Sequence, residues 1–210
     1  ATEQTENGTL IPDDDMPTDL VLGIVTSESG WNASSALEMV ASDGWYVYSN
    51  LELYKDDAFK IVKDKKWDVS YGGDGGVLAA DVDTIYTLSS NNGGNIKPTK
   101  NGKFNIYFNP VSLAFKYECV EEYTNLTVNI TINNEAHWSP LYIYLEDENK
   151  KPLTNNDGDE VKDNKYSISG DYIGSTLTYK FISGSQVSTP DSVTITKNGA
   201  TVTVTKPAEV

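Results

Sequence analysis

Turn signals interrupt this chain so often that a helix of ordinary length finds no room between them. From Leu20 onward, short runs rich in Val, Ile, Thr, Tyr and Trp recur between Gly-, Asn- and Asp-bearing breaks. Runs of that length and β-branched content read as strands. In the first half they are Val21–Thr26, Trp45–Leu53, Ala58–Lys63, Thr84–Ser89, Lys103–Asn109 and Leu113–Val120. The breaks Asn91-Asn92-Gly93-Gly94, Asn101-Gly102 and Asn109-Pro110 are strong reversal signals, because Asn and Gly tolerate the positive φ of tight turns. Trp45, Val47 and Ser49 alternate with Tyr46, Tyr48 and Asn50, and Asp56-Asp57 then predicts a hairpin return into Ala58–Lys63. Only Ala33–Val40 reads as a helical turn.

After Glu121-Glu122 the rhythm restarts with Leu126–Ile132, Leu141–Leu145, Lys165–Ser169, Thr176–Phe181, Ser192–Thr196 and Ala200–Thr205. Asn198-Gly199 predicts a final hairpin, with Val193 and Ile195 facing Val202 and Val204. Six or seven short strands on each side of Tyr123, with turns about every ten residues, fit the immunoglobulin-like sandwich, whose modules need about 100 residues. A closed barrel is the competing topology. The sequence thus predicts an all-β fold of two tandem Ig-like β-sandwich modules, residues 18–122 and 123–210. Residues 1–17, with Asp13 to Asp15 between two prolines, are too poor in apolar side chains to order themselves and read as a disordered linker or stub.

Sixteen Lys plus Arg against 31 Asp plus Glu leave a net charge of −15, which repels phosphate backbones and anionic headgroups. Nucleic acid and membrane insertion are therefore not expected, whereas a neutral polymer meets no such penalty. Cys119 is the sole cysteine, so no intrachain disulfide forms, and the reading is a half-buried strand residue. His137 is the sole histidine and has no Ser elbow or Cys set beside it, which argues against nucleophilic triads and zinc. The stretch Asn155 to Glu160 offers oxygens for calcium, but Leu153 stands where an EF-hand needs Asp, so a solvated loop is expected and no metal or cofactor is assigned. Asn-x-Ser/Thr triplets begin at Asn7, Asn32, Asn125 and Asn129, a pattern common in Asn- and Thr-rich chains.

Aromatic residues carry the positive signal. Four Trp and thirteen Tyr exceed what two small cores require. Trp31 follows Ser29-Gly30, and Trp67 follows Lys63 to Lys66, so neither lies in an apolar alternation. Phe59 and Ile61 on one strand face send Lys60 to the other. Exposed rings with a nearby cationic donor grip sugars, because the pyranose C–H face stacks on the ring while hydroxyls bond to polar neighbours. Trp45, on an alternating strand, is expected in the core. In the second half Trp138 precedes Ser139-Pro140, and Tyr142 and Tyr144 share one strand face, as a sugar shelf or as packing.

Taken in order, Val21-Leu22-Gly23, Gly30-Trp31-Asn32, Ala36-Leu37-Glu38-Met39, Asp43-Gly44-Trp45, Phe59-Lys60-Ile61, Trp67-Asp68-Val69-Ser70-Tyr71-Gly72-Gly73, Gly94-Asn95-Ile96 and Gly102-Lys103-Phe104 form a set of spaced landmarks. This stretch, residues 20 to 118, resembles the Ig-like starch-binding modules of gut-bacterial starch-utilisation outer-membrane proteins. The tandem arrangement is also similar to amylosome-type starch-adherence proteins. The resemblance implies a non-catalytic module that binds α-1,4-glucan on an arc of Trp31 and Trp67, with Lys60 donating to sugar hydroxyls and Tyr71 and Asn95 in matching motifs. The second module lacks those landmarks. It is similar in outline to modules with an aromatic cluster, here Trp138, Tyr142 and Tyr144. The resemblance further implies a monomer at the cell surface or outside the cell, as part of a larger starch-adherence protein. The rivals are a structural Ig-like spacer without sugar binding and, less favoured, a glycoside hydrolase, which needs two carboxylates across one cleft.

Overall fold

The computed structural model of the chain describes residues 3–6, 9–12, 16–91 and 93–205. Asn7 and Asn92, and with them one glycosylation triplet and part of one predicted turn, lie outside these residues, as do residues 1, 2, 8 and 13–15 of the predicted 1–17 stub. The fold is all-β and divides into two compact units, Ala1–Tyr123 and Thr124–Val210.

The first unit contains β1 (Glu3–Glu6), β2 (Thr9–Pro12), β3 (Leu22–Thr26), β4 (Leu37–Glu38), β5 (Val40–Ser42), β6 (Trp45–Leu53) and β7 (Phe59–Lys63). It continues with β8 (Lys66–Gly73), β9 (Leu78–Ala80), β10 (Tyr86–Ser90), β11 (Ile96–Pro98), β12 (Gly102–Phe108) and β13 (Ala114–Glu122). Strands β1 and β2 pair only with each other. The others run in the order β4-β3-β7-β8-β10-β13-β12-β6-β5, with β11 also on β7 and β9 on β11. Strand β10 turns this ribbon back on itself. Its Leu88–Ser90 end pairs with β8, while Tyr86 and Thr87 pair with β13.

The two halves of the ribbon face each other across one core. Leu22, Ile24, Phe59, Ile61 and Tyr71 come from one half, and Tyr46, Leu53, Phe104, Ile106, Phe108 and Phe115 from the other. Ring contacts cross the gap between Phe59 and Phe115 at 6.0 Å and between Tyr71 and Phe108 at 4.7 Å. Each such side chain contributes about 1.5–3 kcal/mol by leaving water, which supplies the stability that no disulfide provides.

Two expectations fail here, for one reason. Trp45–Leu53 and Ala58–Lys63 are both strands, but they do not form a hairpin. β6 pairs with β5 and β12, whereas β7 pairs with β3 and β8. The turn between them carries the chain from one half of the sandwich to the other, held where Asp57 accepts from the Tyr54 N–H at 2.9 Å and Asn101 from the Lys55 N–H at 2.7 Å. Ala33–Val40 likewise holds only a three-residue 3-10 turn, Ala33–Ser35, before β4 joins β3 and β5 joins β6.

The second unit contains β14 (Leu126–Asn134), β15 (Tyr142–Glu146), β16 (Asp159–Glu160), β17 (Lys165–Gly170), β18 (Thr176–Ser183), β19 (Gln186–Val187), β20 (Asp191–Thr194) and β21 (Ala200–Val204). One sheet has the order β17-β14-β21, and the other β16-β15-β18-β19 with β20 also on β18. Val128, Ile130 and Ile132 alternate inward on β14, as Leu177, Tyr179 and Phe181 do on β18. The predicted final hairpin is again a crossing between sheets. β20 pairs with β18, β21 runs parallel to β14, and only Thr196 and Gly199 bridge the turn.

Candidate functional site

Trp31, Lys60 and Trp67 meet on the outward face of the β3-β7-β8 sheet. Lys60 reaches that face because Phe59 and Ile61 are fully buried in the core on either side of it. Its stem crosses Gly72, where a Cβ would lie 3.0 Å from Lys60 Cε and clash outright with the Gly94 carbonyl. Glycine is needed there for close approach, and the approach fixes the path of the lysine.

Trp67 reaches the same face by a bulge. Alternation alone would place it with Val69 and Tyr71. Pairing jumps from Val62–Ser70 to Lys63–Lys66, so Trp67, Asp68 and Val69 fall outside the ladder, and a bulge of this kind re-aims its side chains. The hairpin beyond it turns through Asp64 and Lys65, at φ 57 and 54, the two positive values that a tight type I′ turn requires.

Trp31 sits in the segment that covers this sheet face. The 27–36 segment begins with Ser27 donating its N–H to the Ala58 carbonyl at 2.8 Å, and Asn32 caps the 3-10 turn by accepting from the Ser34 N–H and hydroxyl. Val25, Ala33, Ala36 and Val62 form a small satellite core beneath the segment, and Trp31 packs against it. Trp31 has φ 61, a left-handed conformation that costs a non-glycine residue roughly 1–2 kcal/mol. Packing on the satellite core offsets that strain.

The two indoles lie 6.3 Å apart between centroids and are tilted by 49°. The Trp67 indole N–H donates to the Trp31 carbonyl at 3.2 Å, which ties the rings together. The Lys60 ammonium lies 5.7 Å from the centre of the Trp67 ring, within cation–π range and worth about 0.5–1 kcal/mol at an exposed site. Trp67 is 41% exposed, and Trp31 and Lys60 are half-buried. The result is an open, angled aromatic surface with one positive donor beside it.

The remaining expected residues are placed differently. Tyr71 points into the core beside Phe108 and is 8% exposed, so burial pushes its phenol pKa up and its ring offers no face to a ligand. Asn95 is half-buried in a loop where its carbonyl accepts from the Leu78 N–H at 2.9 Å, a structural role for its backbone. Trp138 is 6% exposed, because Asn134 takes its N–H at 3.1 Å and gives an amide hydrogen to its carbonyl at 2.9 Å, drawing the residue inward. Its indole N–H is buried and unpartnered. Tyr142 and Tyr144 do share the outward face of β15. The Tyr144 hydroxyl donates to Glu146 at 2.9 Å, a bond that raises its pKa, and the Lys180 ammonium lies 5.0 Å from its ring.

Sequence reading placed Trp45 in the core. It is buried, but on the opposite face from Tyr46, against Tyr107 at 6.0 Å and beneath the Lys116 ammonium at 5.3 Å. The available signal was the apolar character of both strand faces, Trp45 and Val47 as well as Tyr46 and Tyr48. Among the described residues no group of three His, Cys, Asp or Glu side chains is arranged to hold a metal ion, and no helix is long and apolar enough to cross a membrane.

No protein-family model matches the chain, and no curated protein matches it. Among solved structures it is similar to a pullulanase from Bacillus acidopullulyticus, at 12% identity and a TM-score of 0.28, over 88% of this chain. The chain spans 30% of that structure's length, and a likeness this distant leaves the functional reading to the site itself.

Proposed function

We propose that the protein is a non-catalytic carbohydrate-binding protein whose first unit holds α-1,4-glucan on Trp31, Lys60 and Trp67. The observation that carries this reading is the tilted indole pair with an ammonium at its edge. Two rings set at an angle follow a curved polymer better than a flat one, since successive sugars of a bent chain present their C–H faces in different directions. The lysine supplies up to three donors for hydroxyl oxygens along the rim. An open surface also suits a polymer entering from the side, where a hydrolase would need a cleft with two opposed carboxylates. The net charge of −15 fits a neutral ligand. We place the protein outside the cell or on its surface, as part of a larger starch-adherence protein, where such a polymer is met.

Native affinity electrophoresis through amylopectin, with cellulose and xylan as controls, tests the reading. Retardation in amylopectin alone is the expected result. Unchanged migration in every gel would instead assign the fold to a structural spacer.

A further inference from the structure

The outward face of the β5-β6-β12-β13 sheet is more apolar than a solvated sheet face needs to be. Pairing aligns Val40 with Val47, Val47 with Tyr107, and Tyr107 with Lys116, so one row crosses four strands. In the neighbouring row Ser42 faces Trp45. Residues of the other parity, Tyr46, Phe108 and Phe115, fill the core, so these rows point away from it. On the opposite side of the sandwich, the 27–36 segment covers the satellite core of the β3-β7-β8 sheet. Here Val40 remains 68% exposed, at a groove of about 660 Å³ lined by Glu38, Val40, Ser42, Asp43, Trp45 and Tyr107 among others.

Polar contacts already run along this row. The Lys116 ammonium lies 4.7 Å from the Tyr107 ring and 5.3 Å from that of Trp45, and the Tyr107 hydroxyl donates to Glu118 at 2.9 Å. The groove's volume falls within the roughly 300–1,000 Å³ of small-ligand sites. Nine residues line the groove, far fewer than the roughly 20–30 that each partner contributes to a stable protein interface. The rim carries the hydroxyl of Ser42 and the carboxylates of Glu38 and Asp43, which accept hydrogen bonds and repel anions. An apolar floor of ring and methyl groups below acceptors is the chemistry that a neutral sugar requires.

We propose that this groove is a second glucan-contacting surface, with Val40, Val47 and Tyr107 beneath the sugar ring and Ser42, Asp43 and Glu38 taking its hydroxyls. The proposal rests on the glucan reading of the first site. Because the core lies between the two surfaces, one short oligosaccharide cannot span both. The unit then ties together two chains, or two distant stretches of one branched glucan, and gains by avidity on a polymer what each weak surface lacks alone.

Titration of the full chain with maltoheptaose, followed residue by residue through backbone and indole N–H resonances, reads both surfaces at once. Two separate sets of shifts are expected, one at Gly30–Asn32 and the Trp67 indole, the other at Val40, Ser42, Val47 and Tyr107. In Val40→Arg, chosen because the side chain is exposed and its loss leaves the core intact, the second set should need at least tenfold more sugar while the first is unchanged. Shifts at the first set alone overturn the second surface and leave the glucan reading standing. Shifts at neither overturn both. Groove shifts that persist unaltered in Val40→Arg overturn the assignment to this groove.

Discussion

Each unit contains a tryptophan that follows a polar, turn-like stretch, and the two meet opposite fates. Trp67 of the first unit is 41% exposed, whereas Trp138 of the second is 6% exposed. The difference lies in the backbone around each ring. Trp67 leaves a bulged strand whose ladder is interrupted, and its one polar atom finds the carbonyl of Trp31 at the surface. Trp138 is clamped through both its N–H and its carbonyl by the Asn134 amide, which draws the ring inside and leaves the indole N–H without a partner. A polar context in sequence therefore says little about exposure. What decides it is whether the neighbouring backbone is satisfied by the interior or by the rim.

The contrast is open to direct attack, starting with the largest expected effect. Trp138→Ala should destabilise the second unit by about 3–5 kcal/mol, as large-to-small core changes do, and leave amylopectin retardation by the first unit intact. Thermal unfolding and affinity electrophoresis of the same protein check both halves of that statement. Trp67→Ala should do the reverse. Binding of maltooligosaccharide by calorimetric titration should weaken at least tenfold, about 1.4 kcal/mol, with a stability loss of about 1–2 kcal/mol, smaller than that of Trp138→Ala because the ring is 41% exposed and rests mainly on Trp31. A smaller effect is expected of Trp67→Phe, which keeps a ring but loses the N–H that holds the Trp31 carbonyl. A two- to fivefold loss of affinity, on the order of a single net hydrogen bond, would assign that bond a positioning role, and full affinity would deny it.

The smallest effect is a matter of alkaline pH. Partial burial, together with a 2.9 Å hydrogen bond to Glu52 and that residue's charge, pushes the Tyr123 phenol from 10.0 up to about 12. The folded chain therefore holds this proton more tightly than the unfolded one, so the contribution to stability is complete below pH 10 and fades as the pH rises toward about 12. Tyr166 is raised in the same direction by burial and by its hydrogen bond to Asp159. Phenolate absorbance in Tyr123→Phe should lack one late step of the wild-type titration, and an identical curve would remove Tyr123 from the account.

Much of this molecule was legible in single segments. Every predicted run holds a strand, although β8 (Lys66–Gly73), which carries Trp67, lies outside all of them, and Lys60 lies on the outward face because Phe59 and Ile61 face inward. Trp31 and Trp67, named together from the sequence, lie 6.3 Å apart between ring centroids. The connectivity was not legible. Asp56-Asp57 and Asn198-Gly199 do reverse the chain, but the strands after them join other sheets. Tyr71 and Trp67 illustrate the same divide within one strand, since equal parity predicts one face and a bulge sends Trp67 to the other.

Period, turn chemistry and charge are properties of neighbouring residues, which is why the sequence by itself determined an all-β fold, the places where it turns, and an acidic surface that disfavours anionic ligands. Strand partners, the bulge that re-aims Trp67, the amide that buries Trp138 and the outward cluster around Trp45 depend on groups tens of residues apart. Only the tertiary structure decided them, because a backbone N–H or an indole takes whichever partner the assembled sheets bring within reach, and no local pattern records which one that will be.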